Sequence, residues 1–224
     1  MTKGMLIAGN ETALTAAVAG EAAKQNEPYV VALVRNRYSV ASPKQAPPDN
    51  DENPDKVLEW NPGSPLSART LVIAAENRLG CIGRAVLVCD PPAAGLALAG
   101  LGFADIEVLV NDYIKGWFFL AKEITAVFRA RGEGTLALAY PEAGGSSGKE
   151  APDLSSHTAL AAFRSLTGNL LASASAEPFM IQGFSGNETG DEAGYAAFIF
   201  KQLEEGSRRG NGKLHKFGKL GLFR

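Results

Sequence analysis

Apolar and polar positions along this chain switch repeatedly between a period of two and a period near four, and the order of the switches predicts the architecture. Met5–Ala8 is a short apolar run closed by Gly9 and Asn10. Glu11–Gln25 follows as an alanine-rich helical stretch, and Tyr29–Val34 is a continuous β-branched run of the kind buried on both faces. Together they predict a βαβ opening. Lys56–Trp60 reads as a weak strand, Ser67–Leu79 as a helix, Arg84–Cys89 as a buried strand and Asp112–Ala130 as a long helix. Thr135–Tyr140 is the next strand, His157–Ser175 a small-residue helix and Phe179–Phe184 another strand, while Gly212-Lys213-Leu214 stands where a final strand would begin. Strands alternating with helices in one domain predict an α/β fold over residues 1–224: a doubly wound parallel sheet between two helical layers.

Two segments break the alternation. Residues 42–56 are rich in proline and acid and without period, which predicts a solvated loop inserted into a βα connection. Residues 207–224 carry Arg208, Arg209, Lys213, His215, Lys216, Lys219 and Arg224 among glycines and apolar residues. They predict a basic strand and tail that is solvated, covers a neighbouring subunit or meets an anionic group.

Composition narrows the picture. At 224 residues, 46% hydrophobic and 21% charged, the chain suits one domain with a full core. A formal net charge of −2 offers no basic field, so nucleic acid is not an expected partner. With no apolar leader region and no apolar run of about 18 residues, no membrane association and a cytoplasmic setting are expected. Cys81 and Cys89 lack zinc-site spacing, and only His157 and His215 exist to assist them, so buried, reduced thiols and no metal are expected.

The ordered set of elements resembles the short-chain dehydrogenase/reductase family, whose fold is Rossmann-like. A glycine turn follows the first strand. RAVLVCDPPA stands where the family has a strand running into its Asn-Asn-Ala-Gly motif, and VNDYIKGWFFLAKEITAVFRARGEGTLALAY where it has a long interface helix and the next strand. HTALAAFRSLTGNLLASASAEP is similar to the helix that carries the family's catalytic lysine, and MIQGFSG to the strand and loop after it.

The resemblance implies a function that the residues then contradict. The family's first turn reads Thr-Gly-x-x-x-Gly-x-Gly, letting backbone amides approach a cofactor pyrophosphate. Here the stretch is Ala8-Gly9-Asn10-Glu11-Thr12-Ala13-Leu14-Thr15. Ala13 and Thr15 add side chains, and Glu11 either brings negative charge to the pocket or points to solvent in the first helical turn. Gly9, Asn10, Thr12, Arg35, Asn61 and Asp90 are the candidate cofactor contacts. Arg35, just after the second strand, resembles the family's choice of NADP(H) over NAD, although an arginine ending a strand is also commonly just solvated.

The family's catalysis uses a tyrosine, a lysine four residues later, a serine and an asparagine. Aligned on Ala161–Thr167, Ser156 falls at the tyrosine, Leu160 at the lysine, Pro141 at the serine and Tyr113 at the asparagine. Serine lacks acidity near neutrality without an activating base, and leucine cannot stabilise a phenolate. The candidate catalytic residues that remain are Tyr113, Tyr140, Ser156 and His157, with Lys115 nearby. A relocated pair such as Tyr140 with His157 is one reading; pocket-filling tyrosines and a helix-start histidine are the other.

Trp117, Phe118, Phe119, Leu120, Ile124, Val127 and Phe128 make the long helix apolar on more than one stripe, and its neighbour is rich in alanine and glycine. The resemblance implies a homodimer or homotetramer through helices 112–130 and 157–175, or pairing with an intact family subunit. Three functions stand open: a structural, regulatory or heteromeric subunit without ordinary catalysis, an NADP(H)-dependent oxidoreductase with a rebuilt site, and a small-ligand module in the former cofactor cleft.

Overall fold

The continuous apolar runs become strands buried on both faces, and all pair in parallel. The computed structural model describes residues 3–34, 56–91, 98–142, 154–187, 190–205 and 210–218. Arg35, most of the 42–56 insertion, residues 207–209 and the end of the basic tail lie outside them. In chain order the elements are β1 (Gly4–Asn10), α1 (Ala13–Lys24), β2 (Tyr29–Val34), β3 (Val57–Glu59), α2 (Pro65–Leu79) and β4 (Ile82–Val88). Then come α3 (Phe103–Val110), α4 (Gly116–Arg131), β5 (Thr135–Pro141), α5 (Leu154–Ser173), β6 (Met180–Gly186), α6 (Glu192–Glu204) and β7 (Lys213–Phe217). The strands form one seven-stranded sheet in the order β3-β2-β1-β4-β5-β6-β7.

Strand alternation divides the core in two. Leu6, Ala8, Leu87, Leu136 and Leu138 face α2, α4 and α5, whereas Met5, Ile7, Val86, Val88 and Phe184 face α1 and α6. Ring packing fixes the larger layer: Trp117 lies edge-on to Phe163 at 5.5 Å, and Phe163 meets Tyr140 at 6.1 Å. Local chemistry sets the helix ends. Ser64 accepts from Ser67 N at 3.3 Å ahead of Pro65 to start α2, and Gly132, at φ 76°, stops α4 in the left-handed conformation that glycine tolerates.

The long helix needs a correction. The chain is helical from Phe103, well before Asp112, because α3 runs into one π turn, Asn111–Lys115, which hands over to α4 at Gly116. Phe103, Ile106 and Val110 of α3 are exposed, whereas Leu109 is buried with Tyr113 and Ala159. On α4, Trp117, Leu120, Ile124 and Phe128 are buried by the chain's own core, while Phe118 stays 48% exposed. The second helix starts at Leu154 rather than His157 and ends at Ser173. The pattern also omits α6, which Asp191 caps by accepting from Gly194 N at 2.9 Å and which buries Tyr195, Ala196, Ile199, Phe200 and Leu203.

Candidate functional site

The strand order reverses between β1 and β4, so their carboxyl ends flank the crevice where open α/β sheets receive ligands. The chain leaves β1 through a tight turn in which Thr12 N donates to Asn10 O at 2.9 Å. Asn10, 1% exposed, spans the crevice: its Oδ1 accepts from the backbone N of Asp90 at 2.8 Å. Its Nδ2 is buried without a hydrogen-bond partner among the described residues. Thr12 is the N-cap of α1 yet makes no side-chain capping bond, whereas Ser64 and Asp191 cap α2 and α6. The first-turn N–H groups of α1 therefore lack the acceptor that a capping side chain supplies.

Gly9 is kept bare by Thr15. A Cβ on Gly9 would lie 2.3 Å from Thr15 Oγ1 and 2.6 Å from its Cγ2, so the threonine fills the space above the glycine. Positions 9 and 15 thus share one volume, with the Thr15 side chain standing over the glycine. Glu11 is exposed, the solvent-facing alternative.

Asp90 is the charged group of the crevice. Burial pushes its carboxyl up, the Thr12 hydroxyl beside it pulls it partly back without closing a hydrogen bond, and the like charge of Glu192 adds to the rise. Burial, followed by Asp90, pushes the thiol of Cys89 well up, which leaves it protonated and inert.

The catalytic candidates are dispersed by their packing. Tyr140 is 4% exposed, its ring lies against Phe163, and burial raises its phenol with Arg164 offsetting only part of the rise. Tyr113, in the π turn, is 1% exposed and packs with Leu109 and Ala159, bringing that turn against the start of α5. Ser156 and His157 are half-buried in the first turns of α5, and Leu160 points into the main core. Tyr140 therefore meets α5 at Phe163 and Arg164, further along the helix than His157. Asn61 is committed to the turn before α2, its Oδ1 accepting from Gly63 N at 3.0 Å. The structure unites Gly9, Asn10, Thr12 and Asp90; Arg35 lies outside the described residues.

Three residues absent from the sequence-derived candidates complete the rim. The buried Ser185 hydroxyl donates to Glu142 Oε1 at 3.0 Å, and Tyr195 of α6 donates to the Tyr140 carbonyl at 3.0 Å. The phenol of Tyr195 is raised by burial first, with Glu142 and Asp90 adding to the rise. Pro141-Glu142 at a strand end was the available signal for the first pair; the tyrosine needed α6. Among the described residues, no cluster of three or more His, Cys, Asp or Glu side chains is placed to hold a metal ion. No helix among them is long and apolar enough to cross a membrane.

No family model matches the sequence, and no curated protein matches it. Solved structures do. A short-chain dehydrogenase from Mycobacterium smegmatis superposes with a TM-score of 0.71 at 12% identity, covering 98% of this chain and 93% of its own. A short-chain dehydrogenase/reductase family oxidoreductase from Brucella ovis, solved with a partially ordered NAD, gives 0.67 at 13% over 96% and 100%. A citronellol catabolism dehydrogenase from Pseudomonas aeruginosa gives 0.67 at 15% over 96% and 93%. The fold is that of the short-chain dehydrogenases/reductases, a Rossmann-like single sheet.

That fold implies a dinucleotide whose pyrophosphate lies at the amino end of α1. The residues present do not fit one as they stand. A carboxyl occupies the neighbourhood of Thr12, Glu192 adds charge of the same sign, and Thr15 fills the space over Gly9.

Proposed function

We propose that this protein uses the short-chain dehydrogenase fold without the ordinary hydride-transfer chemistry of that fold, as a structural or regulatory subunit or as one partner of a heteromer. One observation carries the reading: α5 contains neither tyrosine nor lysine from Leu154 to Ser173, and Leu160, at the position the resemblance gives to lysine, is packed into the core. A buried leucine can neither lower the pKa of a phenol nor hold a ribose. The carboxylates of the crevice support the same reading, since they oppose the phosphate that would deliver a nicotinamide.

The same reading uses the outer faces of α4 and α5 for assembly. Phe118 stands exposed on α4, and Ala161, Gly168 and Ala172 leave an exposed, small-residue surface on α5 that allows close helix approach. The expected assembly is a homodimer or homotetramer, or a pairing with an intact subunit of the same fold. Sedimentation velocity reads the first directly: Phe118→Glu converts the oligomer to monomer, and a wild-type monomer would remove the proposal.

Calorimetric titration with NADPH and NADH into the millimolar range, followed by NADPH oxidation over a panel of carbonyl compounds, tests the absence of chemistry. The expected results are no saturable binding and no substrate-dependent oxidation. Turnover abolished by Tyr140→Phe would overturn the reading in favour of an NADP(H)-dependent enzyme with a rebuilt site, for which the Arg164 guanidinium beside the Tyr140 phenol is the one favourable feature.

A further inference from the structure

We infer that two copies of this chain join antiparallel about a twofold axis at Val110, through one apolar stripe that runs along α3, across the π turn and onto the first turn of α4. The inference rests on the assembly reading above and names its partner, its axis and its surface.

The stripe is Phe103, Ile106, Val110, Ile114 and Phe118, at the spacings of a single helix face. Phe103 is 90% exposed, Phe118 48%, Ile106 40% and Val110 38%, and Ile114 is partly buried between them. Leu109, Tyr113 and Trp117, each one position earlier, are buried, so the stripe follows the border of the chain's own core. An unbroken α-helix would let such a row wander, because residues four apart drift by about 40° per step around the axis. The π turn Asn111–Lys115 takes an extra residue into one turn and sets the face back by about the same angle, which keeps Ile114 and Phe118 in line with Phe103, Ile106 and Val110. Isolated apolar side chains at a surface are ordinary, whereas a continuous row marks a contact.

The row is the same in both directions: Phe, Ile, Val, Ile, Phe. Laid antiparallel on its own copy, it puts Phe103 against Phe118 of the partner subunit, Ile106 against the partner's Ile114 and Val110 against the partner's Val110. That self-complementarity is what an isologous contact requires.

The charges agree with the same axis. With the core on one side of the stripe, the free flank carries Glu107, Asn111 and Lys115, again four apart. In an antiparallel pair the same flank of each helix faces its copy. Glu107 then meets Lys115 of the partner subunit, twice by symmetry, and the two Asn111 side chains meet at the axis. Neither Glu107 nor Lys115 has an ion pair among the described residues. Lys115 Nζ instead donates to Asn111 Oδ1 at 2.8 Å, which draws it toward the axis. A parallel pairing would set Glu107 against the partner's Glu107, so the flank selects the antiparallel one.

The test is a charge-swap cycle read by sedimentation velocity on the full chain at micromolar concentration, with far-UV circular dichroism confirming the fold. Glu107→Lys and Lys115→Glu are each expected to weaken the dimer about tenfold, and the double variant to return within about threefold of wild type. Independently, Val110→Cys treated with diamide is expected to run as a covalent dimer on a non-reducing gel, since the only native thiols, Cys81 and Cys89, are buried. A wild-type monomer overturns this inference together with the assembly reading. A wild-type dimer that the single swaps do not weaken, that the double swap does not restore, or that Val110→Cys does not cross-link overturns this axis alone and leaves assembly through α5 standing.

Discussion

The two ends of the sheet carry similar side chains and treat them in opposite ways. At the amino ends of β1, β4, β5 and β6 lies a groove of about 700 Å³ lined by Lys3, Arg84, Glu27, Glu133 and Glu177. Each of these charges has a partner: Lys3 with Glu133 at 2.8 Å, Arg84 with Glu27 at 3.6 Å, and Glu177 with Arg129 through two hydrogen bonds. At the carboxyl ends, no salt bridge among the described residues joins Asp90, Glu142 or Glu192, and the donors of Asn10 and Thr15 are unmet. Among the described residues, the charges of the groove are paired and the carboxylates at the opposite end form no ion pair. Concavity alone is therefore a poor guide to function here; unmet polar groups at the switch point of the sheet are the better one.

The contrast can be broken most forcefully at Gly9. Gly9→Ala should cost about 2 kcal/mol by driving a methyl into Thr15, measured by urea unfolding. Adding Thr15→Ala should recover about 1 kcal/mol or more relative to the sum of the single changes; strict additivity would show that the two positions do not share one volume. Tyr195→Phe removes the donor from the buried Tyr140 carbonyl and should cost about 1 to 1.5 kcal/mol in the same assay.

A pH series sharpens the comparison at Asp90, which lies near Thr12 on the α1 turn, Cys89 just after β4, and Glu192 and Tyr195 on α6. Its carboxyl is raised in the folded protein, so its contribution to stability is full below the ordinary carboxylate range and is lost as pH rises through the raised value. Asp90→Asn escapes that loss. The melting temperature of the variant relative to wild type should therefore climb from acid to neutral pH, and a difference independent of pH would contradict the raised carboxyl. At the paired end the effects are smallest. Arg129→Ala, despite two well-formed bonds, should cost about 0.5 to 1 kcal/mol because the Arg129 side chain is half exposed and its charge is screened by solvent. Lys3→Ala should leave the melting temperature unchanged at about 0.15 M salt, where exposed charges are screened.

Most of the sheet was legible in the sequence because parallel strands buried on both faces must be continuously apolar; Tyr29–Val34 shows the same bounds in pattern and structure. α6 was legible in principle, since Tyr195, Ala196, Ile199, Phe200 and Leu203 repeat at helical spacing behind an Asp N-cap. α3 carries a similar spacing at Phe103, Ile106 and Val110, but those side chains are exposed, so the stripe signals the helix and not the face it buries. In the site, the spacing of the β1 turn marked Gly9, Asn10 and Thr12, and the end of β4 marked Asp90. What those residues do to one another depends on a contact across 80 positions and on a threonine folded back over a glycine, neither of which a linear pattern encodes.

The central position of β1 also sets an order of assembly. One of its partners, β2, ends at Val34, but the other, β4, ends only at Val88. At ordinary synthesis rates of about 5 to 20 residues per second, the intervening chain takes on the order of several seconds to appear. For that interval a fully apolar strand has one edge open on the ribosome, exposed to mispairing with other nascent chains. The Asn10 to Asp90 bond can close only afterwards, when β4 has paired and its carboxyl end has reached the β1 turn.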